Sequence, residues 1–155
     1  MISEELKNLA IGIDLDSEDN FELRIKFGIA CIQRVKGLLT DDQIIEDLAV
    51  GERYVRNECS RSDLNNAAAS ATEIAQSHAG SGSIDGSGNA AVSVSRGVAA
   101  ALSGRALEAS AYANYASVYS YSASAVTDLS AYAPEQKWQI DKLGELLKAM
   151  RESRF

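Results

Sequence analysis

The chain has 155 residues and a formal net charge of 15 − 22 = −7. That length suffices for one domain with a sizeable core. The acidic balance argues against nucleic acid as a direct ligand, because phosphate binding needs clustered Lys and Arg, and it suits a basic protein partner.

The opening MISEELKN is acidic and has no apolar run after a basic start, which is not the pattern of a secretory signal. No run approaches the length of a membrane span. The expected compartment is therefore the cytosol, where Cys31 and Cys59 are expected as reduced, packed thiols.

Ser3 is placed to cap a first helix reaching Ile11, with Glu4 and Glu5 at its positive end. Asp14, Asp16, Glu18 and Asp19 follow as an acidic connection. Asp19 and Glu22 have capping-box spacing and predict a second helix from Asn20 to Leu39. Leu23, Phe27, Cys31, Val35 and Leu38 form one apolar stripe on it, and Ile25, Ile29, Ile32 and Leu39 form a second. So wide an apolar surface predicts burial on more than one side. Thr40 to Gln43 reads as a second capping box, opening a third helix to Cys59. Ile44, Leu48, Val55 and Cys59 are its inner face, and Glu46, Asp47, Glu52, Arg53 and Arg56 are mostly its wet face.

Ser62 or Asp63 is expected to cap a fourth helix that ends near Ala79. Leu64, Ala68, Ala71, Ala75 and His78 follow helical spacing on it, and Gly80 stops it. Residues 80–88, GSGSIDGSG, read as a flexible connection. The glycine spacing is not GxGxxG, and no strand precedes it. There is no GK[ST], and the twelfth residue counted from Asp85 is Arg96 rather than the Glu of a calcium loop.

A fifth helix is predicted from Asn89 to Ser103 and a sixth on to Ser130, with Gly104 as a possible break. Ser103, Ser110, Ser117 and Ser124 recur every seven residues, as do Ala109, Ala116 and Ala123, and Ala99, Ala106 and Ala113. Seven residues is close to two turns, so each set runs along one side of a helix and lets a neighbour come close. Tyr112, Tyr115 and Tyr119 fall at i, i+3 and i+7 and share another face. Pro134 suits the first position of a last helix, whose inner face is Trp138, Leu143, Leu146, Leu147 and Met150. The expected fold is an all-α, single-domain bundle of six to seven helices with closely packed Ala/Ser-rich central helices.

Three segments in order carry a family likeness: LRIKFGIACIQRVKGLL at 23–39, the Ala-rich helices from 89 onward, and APEQKWQIDKL at 133–143. This order resembles the Imm-5-like immunity proteins of bacterial polymorphic toxin systems. The Ala-rich helices of that family carry several His residues. Here the same region holds Tyr, Ser and Asn, and His78 is the only histidine of the chain. The resemblance implies a small cytosolic helical protein that binds one cognate toxin domain and neutralises it by occlusion. Occlusion needs no catalytic group, cofactor or metal.

Two acidic groups, Asp14, Asp16, Glu18 and Asp19, then Asp41, Asp42, Glu46 and Asp47, are the expected partner-binding residues, with Tyr112, Tyr115 and Tyr119 as further anchors. The alternative is a non-catalytic regulatory or scaffold module that oligomerises through its Ala/Ser stripes, although close packing inside one chain explains those stripes without a second subunit. An enzyme is disfavoured. No Glu-x-x-His occurs, and a cysteine nucleophile would have only His78 as a base.

Overall fold

The computed structural model describes residues 2–77, 86–121 and 128–153. They form seven α-helices and no strand: α1 Glu4–Gly12, α2 Phe21–Gln33, α3 Asp42–Val55, α4 Arg61–Ser77, α5 Gly86–Leu102, α6 Ala106–Tyr121 and α7 Ala133–Ser153. The all-α architecture is the one expected from the periodicity. His78, the glycines at 80 and 82, and the stripe members Ala123 and Ser124 lie outside the described residues.

Large and small side chains divide between the helices. Leu23, Ile25, Phe27, Ile29, Cys31 and Ile32 are buried on α2, so both of its stripes are covered. From α5 and α6 come Ala99, Ala100, Ala101, Ala106, Ala109, Ala113 and Ala116, all buried within the single chain. Small residues let backbones approach until dispersion contacts replace large side chains. A Cβ on Gly28 of α2 would lie 3.1 Å from both Cα and Cβ of Ala101 and 3.7 Å from Cβ of Ala109. Gly97 of α5 is similarly crowded by Ile32 and by Tyr112, whose Cβ would be 3.2 Å away.

Three helices end on the same device. At the end of α5, Gly104 N–H bonds to Ala101 O (3.2 Å) and Arg105 N–H to Ala100 O (2.9 Å), with Gly104 at φ +80°. This is a Schellman cap, and it breaks the long Ala-rich stretch at Gly104. Ser103 therefore falls outside the Ser stripe and is exposed, while Ser110 is buried. Asn57 closes α3 the same way, through Asn57 N–H to Tyr54 O and Glu58 N–H to Arg53 O. At the end of α1 the left-handed position is held by Asp14, with Asp14 N–H on Ile11 O and Leu15 N–H on Ala10 O.

Several helix ends differ from the sequence reading. α2 stops at Gln33, because Val35 leaves helical backbone at φ −123° and a 3-10 turn over Lys36–Leu38 follows. The Asp19–Glu22 box is not formed; Ser17 caps a 3-10 turn at Glu18–Asn20, and α2 continues from it without a side-chain cap. Asp41, not Thr40, caps α3, accepting from Ile44 N–H at 3.0 Å. α3 stops at Val55, short of Cys59. Ser60 caps α4 in a reciprocal box: Asp63 N–H donates to Ser60 Oγ, and Ser60 N–H donates to Asp63 Oδ2. The Ser60 N–H and hydroxyl, both donating to Asp63 Oδ2, hold the Asp63 carboxyl below its usual range. Pro134 is the second residue of α7, where a missing N–H is equally harmless.

Gly28→Ala gains about 1 kcal/mol of helix propensity. It must also force α2 away from the Ala101 backbone, an overpacking cost of about 1–3 kcal/mol. A net loss of about 1 kcal/mol is expected in urea unfolding. Gly144 on α7 has nothing within 4 Å of an added Cβ, so Gly144→Ala should raise stability by about 0.5–1 kcal/mol.

Candidate functional site

The acidic connection is a built turn. Asn20 Nδ2 donates to Ile13 O at 3.1 Å and Asp14 O at 2.8 Å. Arg24 Nη1 donates to Leu15 O at 2.8 Å and Ser17 O at 2.6 Å. Two side chains at the start of α2 thus fix the carbonyls of the turn and leave the Asp14, Asp16 and Asp19 side chains exposed. Glu18 is exposed as well and pairs with Arg61 at 3.5 Å. The Arg61 guanidinium lies over the Phe21 ring at 3.7 Å, and Arg24 approaches the same ring at 5.6 Å. This stack ties the acidic turn to the start of α4.

Beside the turn is an open groove of about 280 Å³ between the end of α1 and the start of α6, lined by Lys7, Ile11, Asp14, Asp16 and Leu107 among others. Ile11 is 78% exposed, the most exposed large apolar side chain described. α1 packs through Leu6 and Ala10, and each residue advances about 100° around a helix, so Ile11 points away from that contact. Asp14 and Asp16 are legible in the sequence as charge, whereas Ile11 and Leu107 are not among the anchors it suggests. An Ile one position off the buried stripe of α1 was the available signal.

The second acidic group does not present itself as one surface. Asp42 and Glu46 are exposed, whereas Asp41 is engaged as the α3 cap. Asp47 is 3% exposed, which corrects its reading as a wet residue. Position 47 falls between Ile44, Leu48, Gly51 and Tyr54, all buried, and so lies inside the stripe. Gln43 Nε2 donates to Asp47 Oδ1 at 3.0 Å, and Asp47 Oδ2 is buried with no hydrogen-bond partner among the described residues. The three tyrosines are half-buried. Tyr115 and Tyr119 rings stack at 5.4 Å between centroids, and Tyr112 lines a different pocket with Arg96 and Arg105. Burial, then the neighbouring Tyr119, raises the Tyr115 hydroxyl pKa.

Three further polar contacts join helices. Arg34 makes a two-pronged pair with Glu135 (2.5 and 3.0 Å) and stacks over Trp138 at 4.1 Å, joining α2 to α7. Asn114 Nδ2 donates to Gln139 Oε1, and Gln139 Nε2 donates to Ser110 O, both at 3.1 Å and buried between α6 and α7. Tyr54 donates to Glu22, joining α3 to α2. Burial, above all, pushes the Cys31 thiol up and keeps it a neutral packed group.

Among the described residues no group of three or more His, Cys, Asp and Glu is placed to hold a metal ion. No described helix is long and apolar enough to cross a membrane. The chain matches no protein-family model, no curated protein and no solved structure.

Burial, and then the bond to Glu22, pushes the Tyr54 hydroxyl up to about 12 from an ordinary 10.0. A raised pKa stabilises the fold below the unfolded value, and that stability is lost as pH rises through the folded value. Unfolding free energy should therefore fall between about pH 10 and 12. In Tyr54→Phe this fall should be shallower, at a cost of about 1 kcal/mol at neutral pH for the lost bond. Urea titrations at stepped pH measure both.

Proposed function

We propose that this chain is a non-catalytic binding protein of the immunity type its sequence resembles, which occludes a basic toxin domain at the α1 groove. One observation carries the reading. Ile11 stands exposed beside Asp14 and Asp16, and Asp14 sits at φ +53°, in the left-handed position where α5 uses Gly104. A left-handed backbone costs an L-residue up to about 1 kcal/mol relative to glycine, and Asp and Asn less than other types. Retaining a carboxylate there gives up stability at a spot where its charge faces solvent.

The chemistry fits a basic partner. An apolar anchor flanked by charged side chains, here Asp14 and Asp16 with Lys7, is the usual make-up of an interface centre and its rim. The charge of −7 speeds encounter with a cationic domain. Asn20 and Arg24 hold the turn in place before binding, so little ordering entropy is lost on association. Asp19 extends the acidic edge, and Glu18 reaches it from its pair with Arg61. Cytosolic residence is part of the same proposal, because occlusion must happen where the toxin is made.

The test is affinity isolation from the native cells, with wild-type protein and two variants as baits. Asp14→Gly should raise stability by up to about 1 kcal/mol while weakening binding. Ile11→Asp should remove binding and leave the fold intact, because the side chain is exposed. A one-to-one basic partner with a toxin domain, captured by wild type and lost with both variants, is the expected result. Equal capture by all three baits would overturn the placement. A partner without a toxic activity would overturn the immunity reading.

A further inference from the structure

A second pocket, of about 250 Å³, opens where α4, α5 and α6 meet. Thr72 and Gln76 line it from α4, Arg96 and Ala99 from α5, Arg105 from the α5–α6 connection and Tyr112 from α6. Its charge is the reverse of the molecule's. Between Ser62 and Gln136 the chain has two Lys or Arg residues, Arg96 and Arg105, and the fold brings both to this one cavity. No Asp or Glu is among the described lining residues. Arg96 makes no ion pair among the described residues. Arg105 is shared: its Nη1 holds Glu108 at 2.6 Å, with both side chains about half exposed.

We propose that this pocket binds a small phosphate monoester. Two guanidinium groups line one pocket, and Glu108 offsets only Arg105, so a bound anion finds Arg96 without an ion-pair partner among the described residues. A carboxylate is satisfied by one arginine fork, whereas a phosphate carries close to two charges at neutral pH and three strong acceptor oxygens. It therefore matches two arginines. A guanidinium has five N–H donors, so the contact with Glu108 leaves Arg105 others to give. The Gln76 amide and the Tyr112 hydroxyl add neutral donors. Thr72 does not, because its hydroxyl donates to Ala68 O at 2.7 Å.

The cavity equals roughly eight water volumes at about 30 Å³ each, more than a bare phosphate fills. The remaining wall is apolar, made by Ala75, Ala99 and the Tyr112 ring. That leaves room for a compact organic group on the ester oxygen. Exposed phosphate contacts are screened by salt, so the site must hold its ligand at ordinary ionic strength to count.

Calorimetry and amide NMR with inorganic phosphate, phenyl phosphate and acetate, at a fixed chloride concentration of about 0.15 M, test this. Phenyl phosphate should bind one to one with a dissociation constant below about 1 mM, tighter than inorganic phosphate and at least tenfold tighter than acetate. Shifts should centre on Gln76, Arg96 and Tyr112. Arg96→Gln and Arg105→Gln should each weaken binding tenfold or more with unchanged circular dichroism. Glu108→Gln should tighten it several-fold by releasing Arg105. Acetate binding as well as the phosphates, or phosphate binding that survives both arginine substitutions, overturns the proposal. So does absence of saturable binding.

Discussion

The central helices meet through a close approach of backbones at Gly28, and their small residues are arranged around it. Gly28 of α2 faces Ala101 of α5 and Ala109 of α6 so closely that one methyl group would press on the Ala101 main chain. Gly97 makes the matching allowance for Ile32 and Tyr112. Because α5 and α6 bring mainly Ala to the centre, cohesion there comes from many short-range contacts between backbones and methyls. Large side chains fill the core around them, most densely from α2, with Phe27, Ile44, Leu64, Leu102 and Leu143 fully buried.

Much of this was legible in the amino-acid order, for a physical reason. A seven-residue repeat of Ala maps onto one helix side whatever its partner, so Ala106 and Ala113 of α6 were assignable to a buried stripe without knowing what covers them, while Ala99, also buried, lies on α5 beyond the break at Gly104. The two-sided burial of α2 was readable in the same way. Helix ends were less so, because several polar residues compete for each cap. Asp41 outcompetes Thr40, and Ser60 outcompetes Ser62 by taking Asp63 as its partner in a box. Asp47 was misread because its charge was given more weight than its place between Ile44 and Gly51.

The sites were least legible. Asp14 and Asp16 were visible as charge. The feature that sets them apart is the left-handed backbone at Asp14 with Ile11 beside it, and that needs coordinates. The arginine pocket draws on three helices, and no local pattern joins Gln76 to Arg105. Its faint trace was the scarcity of cations between Ser62 and Gln136. The start of α6 serves both features: Leu107 lines the groove, and Arg105, two residues earlier, lines the pocket.

If close approach at Gly28 sets the position of α2 against α5, then the sizes of residues 28 and 101 are coupled. A double-mutant cycle with Gly28→Ala and Ala101→Gly measures that directly. Trimming Ala101 removes one of the two atoms that the new methyl would strike. The double variant should therefore be more stable than the sum of the single losses, by about 0.5–3 kcal/mol of coupling. Losses that add to within about 0.3–0.5 kcal/mol would contradict the account. The central helices would then be held by something other than the contact of their small residues.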